Sequence, residues 1–320
     1  MRKGGKSVLT QTVFSGQPGW LLQNDTLKAV VLPGHGGKIA SLCTCDTGFE
    51  LLFQNPHSSY RTARCGDAFS AYEACGFDDA FPCIDPETVQ VGTRVVDYPD
   101  HGEIWSAAFA AHKEGETLCL AFDSPLLGYR YQKQISLQGQ KLVCRYRIEN
   151  PTEVPIPAIW ACHCLLRYEP EMRIRLPAGV RQIQNVFDSE WLGKAGAVLN
   201  YPLPATGADL TRMPPHGQLK YYVAGPVEQG VCGVDYPEQG VCARFYYDSK
   251  KLPYLGFWAT AGGYRGDVNC ALEPASGYYD SISKARHFGR CPVLAPHTNI
   301  VFELALALGP ATEKAVENVV

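Results

Sequence analysis

Thr298-Asn299-Ile300-Val301-Phe302-Glu303-Leu304-Ala305-Leu306-Ala307-Leu308 places Ile300, Phe302, Leu304, Leu306 and Leu308 on one face at a period of two. That is the period of a strand with one buried face. Tyr129 to Asn150 repeats the pattern as a hairpin turning near Gln138-Gly139, with Leu142, Cys144, Tyr146 and Ile148 alternating with Val143, Arg145, Arg147 and Glu149. Further strands are expected at Leu27–Leu32, Lys38–Cys43, Leu51–Gln54, Leu118–Phe122, Ile159–Leu166, Met172–Leu176, Leu219–Val223, Val241–Tyr247 and Tyr254–Ala259. Gly and Pro, 31 and 23 of them, punctuate these runs. Helical pattern is confined to Ser281–Phe288 and Ala311–Val320, with a turn of helix at Phe77–Ala80. Many short strands at this spacing predict an all-β sandwich or barrel, not a βαβ fold.

The 320 residues are 46% hydrophobic and 19% charged, enough for a sizeable core. No internal repeat, low-complexity linker or composition break divides them, so one domain over 1–320 is expected. A net charge of −3 without a basic cluster argues against nucleic acid and anionic membranes as partners. Met1 to Lys6 is basic, but no long apolar run follows, so neither a secretory signal nor a membrane span is expected. The thirteen cysteines then read as reduced thiols of a cytoplasmic protein. Cys162 and Cys164 flank His163, which invites a zinc reading. On a strand, however, the two cysteines point one way and the histidine the other, so joint ligation is disfavoured and no metal is expected.

The chemistry concentrates in a few segments. Asn269-Cys270-Ala271-Leu272-Glu273-Pro274-Ala275-Ser276-Gly277 fixes a glutamate in an apolar run, preceded by the aromatic run Pro253-Tyr254-Leu255-Gly256-Phe257-Trp258. Pro274 should end regular ladder bonding and leave Glu273 at a strand end. A carboxylate beside aromatic faces suits a sugar site, because C–H faces stack on rings and the carboxylate takes a hydroxyl proton. A salt-bridged strand terminus fits that segment as well. Asp100-His101-Gly102-Glu103 and the strand ending in Ala161-Cys162-His163 each offer a histidine; Cys75-Gly76-Phe77-Asp78-Asp79-Ala80-Phe81-Pro82 offers two aspartates among aromatics. A lone histidine in an apolar strand is more often a hydrogen-bonded core residue than a catalyst, and paired aspartates also suit a solvated turn or a helix cap. The irregular stretch Asn55–Gly92 is the longest loop, and long loops in compact domains are usually functional.

In this order the segments resemble the aldose 1-epimerase (galactose mutarotase-like) superfamily. The resemblance starts at Leu32-Pro33-Gly34-His35-Gly36-Gly37-Lys38-Ile39-Ala40-Ser41-Leu42 followed by Glu50-Leu51-Leu52. It runs through Gly76–Pro82, His101-Gly102-Glu103 and Ile148-Glu149-Asn150-Pro151-Thr152 into His163, and closes with Leu272-Glu273-Pro274 and the last strand. It implies a large antiparallel β-sandwich with few helices, a concave sugar-binding face and neither metal nor organic cofactor. It implies Glu273 as general base, His163 as general acid and His101 as a second histidine that binds and polarises the sugar. Asp78, Asp79, Trp258, Tyr254 and Arg64 are implied as substrate-contacting groups, in a monomer or homodimer acting on a small-molecule sugar. The chain departs from the pattern before Gly76, where Glu73 and Ala74 replace an arginine, with Arg61 or Arg64 as substitutes from the loop. Asp209 and Asp235 are both candidates for a mid-chain sugar-binding aspartate. Two other readings remain: a non-catalytic sugar-binding protein on the same fold, or a β-sandwich glycoside hydrolase or lyase pairing Glu273 with Asp78 or Asp79.

Overall fold

The computed structural model describes residues 7–57 and 59–310. Its strands in chain order are β1 (Val8–Phe14), β2 (Gln17–Gln23), β3 (Leu27–Leu32), β4 (Lys38–Thr44), β5 (Phe77–Ala80), β6 (Glu87–Val91), β7 (Arg94–Tyr98), β8 (Ala110–Glu114), β9 (Thr117–Asp123), β10 (Arg130–Gln138), β11 (Lys141–Asn150), β12 (Ile156–Pro157), β13 (Ala161–Arg167), β14 (Arg173–Arg175), β15 (Gln182–Asn185), β16 (Val198–Asn200), β17 (Gly217–Val223), β18 (Val231–Tyr236), β19 (Val241–Tyr247), β20 (Tyr254–Ala261), β21 (Val268–Ala275), β22 (Val293–Leu294) and β23 (Thr298–Pro310). One short helix, α1 (Ile282–His287), is capped at Ser281, whose hydroxyl accepts the Lys284 N–H.

An eleven-stranded sheet in the order β1-β2-β3-β4-β5-β13-β21-β20-β17-β15-β16 packs on an eight-stranded sheet in the order β14-β18-β19-β23-β11-β10-β9-β8. The pairings are antiparallel throughout. β23 lies inside the second sheet between β19 and β11, and Phe302, Leu304, Leu306 and Leu308 are buried between the sheets while Ile300 is half-buried. The period-two reading of this strand and of the β10–β11 hairpin therefore corresponds to real faces.

Three expectations change. Phe77–Ala80 is a strand, not a helical turn: it is fully buried between β4 and β13, where extended backbone satisfies its polar groups on a neighbour. Leu51–Gln54 forms no strand beyond a bridge from Leu52 to Leu166. There the Glu50 carboxylate stands in for the ladder, accepting the N–H groups of Leu42 and Leu52 at 3.0 and 2.9 Å. Pro274 does not end β21. The register between β13 and β21 holds at Ala161↔Ala275 and again from Leu165↔Ala271, and between these pairs the ladder is interrupted. Pro274, which has no N–H to donate, occupies the interruption and keeps its place opposite Leu255 of β20. The sequence pattern also missed the hairpin of β1 and β2, whose residues are mostly exposed or half-buried. Ala311–Val320 lies outside the described residues.

One polar network ties the sheets together. Asp79 on β5 accepts Lys133 Nζ (2.9 Å), Tyr131 Oη (3.1 Å) and Tyr146 Oη (3.0 Å) from β10 and β11, and Trp160 Nε1 donates to Tyr131 Oη at 2.8 Å. Lys133 sits at an inward position of β10, where an apolar residue would be usual, and both charges are wholly buried. Burial alone would push the Lys133 ammonium down, but the Asp79 charge and hydrogen bond, with Cys144 and Asp78 beside them, together outweigh it and the net direction is upward. Asp79→Asn should therefore cost about 3–5 kcal/mol of stability, the penalty for leaving one buried charge uncompensated. Urea denaturation at unchanged m-value checks this; a loss below about 1 kcal/mol would mean that the network does not hold the sheets.

Candidate active site

The interruption between β13 and β21 lies at the centre of the larger sheet. The flanking pairs set His163 opposite Glu273, and β20 then sets Gly256 opposite Glu273 and Tyr222 of β17 opposite Gly256. Two residues along, Leu165, Ala271, Trp258 and Lys220 form the next row. Because strand side chains alternate, all eight positions share one face. A cavity of about 330 Å³ opens on it, within the range of small-molecule clefts, roughly 300–1,000 Å³. Trp258, Phe69, Leu165, Val186, Phe187 and Tyr264 give it apolar walls; His101, His163, Glu273, Lys220, Asp85 and Asp280 give it chemistry.

Gly256 is a spatial requirement. A methyl group there would stand 2.9 Å from Glu273 Oε2 and 3.2 Å from the Tyr222 ring. Its absence lets the Glu273 carboxylate lie across β20 toward β17. Lys220 Nζ waits there, 3.2 Å from Glu273 Oε2 and 3.0 Å from Asp280 Oδ2, and Tyr222 Oη donates to Asp280 Oδ1 at 2.7 Å. Lys220 neutralises the buried glutamate across this contact. Burial drives the Glu273 carboxyl above its ordinary range; Lys220 opposes this and Asp280 adds to it. Asp85 is likewise raised, by burial and then by Asp280.

The histidines come from two directions. His163 projects from β13 with its ring nearly perpendicular to that of His101, centroids 4.9 Å apart. It is almost wholly buried, its Nδ1 has no partner, and burial, then the charges of His101, Lys220 and Lys38, hold it well below the ordinary imidazole range. His101 stands on the loop after β7, with Nδ1 2.7 Å from Asp100 Oδ1 and Phe69 stacked on its ring at 4.0 Å. Cys162 and Cys164 face the inter-sheet core and His163 the cavity. Among the described residues, one group has metal-ligand spacing: His112, Glu114 and Cys119 at the β8 edge, outside the cavity lining. All thirteen cysteines are free thiols.

His101, His163, Glu273 and Trp258 thus converge. Asp78, Asp79, Tyr254 and Arg64 do not line the cavity. Asp79 belongs to the inter-sheet network, Asp78 pairs with buried Lys38 at 2.5 Å, Tyr254 packs among Tyr222, Tyr278 and Tyr279, and Arg64 is on the loop at Asp67. Asp209 caps an exposed turn at Thr211, and Asp235 pairs with Arg175 and Arg244 on the other sheet. Glu73 holds Arg61 at 2.7 Å. Asp85 and Asp280, which do reach the cavity, carried no motif, and Lys220 lies in the expected strand Leu219–Val223 with nothing local to single it out.

No family model matches the chain, and no curated protein does. Solved structures do match. The Slr1438 protein from Synechocystis sp. PCC 6803 superposes with a TM-score of 0.69 over 97% of this chain and 98% of that one, at 14% identity. A putative aldose 1-epimerase from Escherichia coli K12 gives 0.67 over 95% and 99%, at 18% identity. A galactose mutarotase-like protein from Clostridium acetobutylicum gives 0.69 over 95% and 99%, at 13% identity. The chain has the galactose mutarotase-like fold. The large antiparallel sandwich expected from the sequence resemblance is therefore the architecture found.

The charge arrangement in this site is open to a direct test. Glu273 should titrate above the ordinary glutamate value of about 4.3. Lys220→Met removes the largest nearby charge that favours the carboxylate, so the Glu273 midpoint should rise further. Carbon-13 NMR of the glutamate carboxyl reads both; an unchanged or lowered midpoint in Lys220→Met would contradict the arrangement.

Proposed function

We propose that this protein is an aldose 1-epimerase, interconverting the α and β anomers of an uncharged aldopyranose. The carrying observation is the convergence, in one apolar-walled cavity, of the buried Glu273 carboxylate and the buried His163 imidazole, whose Nδ1 has no partner, with His101 beside them. Buried polar atoms are normally hydrogen-bonded, so His163 Nδ1 asks for a partner that arrives from outside. A sugar supplies hydroxyls for the two polar side chains and C–H faces for Trp258 and Phe69. The solved structures of the same fold that are named as aldose 1-epimerases support the same reading.

Anomer exchange needs one base and one acid. Glu273 takes the O1 proton, the C1–O5 bond breaks as O5 receives a proton from the imidazole side, the C1–C2 bond turns, and the steps reverse on the other face. Each positioned group is worth roughly 10²–10⁴-fold. A raised Glu273 pKa brings the base closer to the working pH. The uncharged substrate follows from the charge balance. Lys220 is already held between two carboxylates, Lys284 is the other lysine of the lining, and Arg61, Arg64, Arg94 and Arg265 are outside it. The hydrolase alternative loses the partners it named for Glu273, because Asp78 and Asp79 are committed to buried lysines.

Glu273→Gln should keep sugar affinity by calorimetry and lose about 10²-fold or more in anomeric exchange measured by saturation-transfer NMR. Free aldoses should outcompete their 6-phosphates. Full exchange activity in Glu273→Gln would overturn this reading.

A further inference from the structure

We infer that the β8–β9 hairpin carries a site for a divalent cation of the zinc type, with His112, Glu114 and Cys119 as its protein ligands and water in the fourth position. The site lies outside the cavity of the larger sheet and stands independently of the epimerase reading.

β8 and β9 are joined by the two-residue turn Gly115-Glu116, with Gly115 left-handed at φ 59°. The register sets His112 opposite Cys119 and Glu114 opposite Thr117. Residues two apart on a strand share a face, and directly opposed residues share it too. His112, Glu114 and Cys119 therefore project from one side of the hairpin, the outer side of the eight-stranded sheet. Leu118 and Leu120, flanking Cys119, turn the other way and belong to the inter-sheet core.

Cys119 is out of place on that outer side if its role is packing. It is only 6% exposed, yet among the described residues it belongs to none of the apolar clusters, whereas Cys144, Cys162, Cys164 and Cys270 belong to the main core. Its neighbours are polar. His112 stands across the ladder on β8 with Glu114 two residues along, and on the other side Gln134 of β10 donates from Nε2 to the sulfur at 3.9 Å. A thiol is a small hydrophobe and a weak hydrogen-bonding group, so polar surroundings give it little. As a thiolate it is a strong ligand for zinc, and an imidazole and a carboxylate are the ligands that complete such a set.

The distances agree with this reading. His112 Nε2 and Glu114 Oε1 are 3.0 Å apart, and ligand atoms of all three residues lie within 4.8 Å of one another. Tetrahedral zinc places nitrogen and oxygen ligands about 3.3 Å apart and sulfur about 3.6 Å from either. His112 and Glu114 are 61% and 65% exposed, so their side chains can close on the buried sulfur without moving packed residues. The charges agree as well: one thiolate and one carboxylate neutralise a dication. On binding, the Cys119 thiol proton passes to solvent and the cation exchanges hydration waters for sulfur, nitrogen and oxygen. Without a cation, His112 and Glu114 are an ordinary surface pair, and the position of Cys119 has no explanation. β8 is the edge strand of the eight-stranded sheet, so a cation shared by β8 and β9 fastens that edge to its neighbour.

The test titrates metal-free, reduced full-length protein with Co²⁺ alone. One equivalent should produce the intense visible bands of a tetrahedral site and a near-ultraviolet thiolate-to-cobalt charge-transfer band, and one equivalent of Zn²⁺ should remove both. Cys119→Ser should abolish the charge-transfer band. His112→Asn and Glu114→Gln change exposed side chains that do not threaten the fold. Each should weaken zinc binding by calorimetry more than the roughly 10–100-fold typical of losing an outer-shell partner, and Gln134→Ala should fall within that range. Zinc should raise the Tm of the wild-type protein and leave that of Cys119→Ser unchanged. A charge-transfer band that is absent, or that needs a large excess of Co²⁺, would overturn the site. So would a band and affinity retained in Cys119→Ser or in His112→Asn, which would place the metal on other thiols of the chain.

Discussion

The parity of side chains along β5, β13 and β21 decides where every charge in this protein goes. Asp79 and Cys162 are cross-strand partners and face the inter-sheet core; Asp78 and His163 are the next pair and face the other way. A shift of one residue would send Asp79 out of its lysine and tyrosine shell and His163 into an apolar core. Two adjacent aspartates thus do two unrelated jobs, each bound to its own buried lysine, and neither reaches the cavity. The same alternation carries Glu273, Gly256 and Tyr222 as one row across the sheet.

Within that row, a gap and a missing side chain create the site. The β13–β21 ladder is broken where Pro274 has no donor to offer, and Gly256 leaves room for the Glu273 carboxylate to cross its neighbour. Lys220 stabilises the resulting buried charge by proximity. His163 Nδ1 stays buried without a partner, at a cost of about 1–3 kcal/mol.

Much of the fold was legible because burial writes itself into a strand every second residue. β3 and β19 have the bounds expected from the sequence, and the β10–β11 hairpin turns where Gly139 sits. Elements with weak one-sided burial were not legible, as in β1 and β2, and neither was β5, whose four residues are buried on both faces and so lack alternation. The glutamate, both histidines and Trp258 could be singled out because they stand in distinctive local runs. Asp280, Asp85 and Lys220 could not, because nothing local distinguishes a charge that meets its partners only across strands.

By itself the sequence determined the all-β class, the main strand faces, and a short set of residues with the chemistry for proton transfer. Those properties depend on local periodicity and residue type. Which aspartates are structural and which enter the cavity, which cation offsets Glu273, and which histidine has a carboxylate behind it were decided only by the tertiary structure. Those are distances between residues tens to hundreds of positions apart, such as Asp79 to Lys133 and Lys220 to Glu273, and cross-strand register sets them, not the neighbouring sequence.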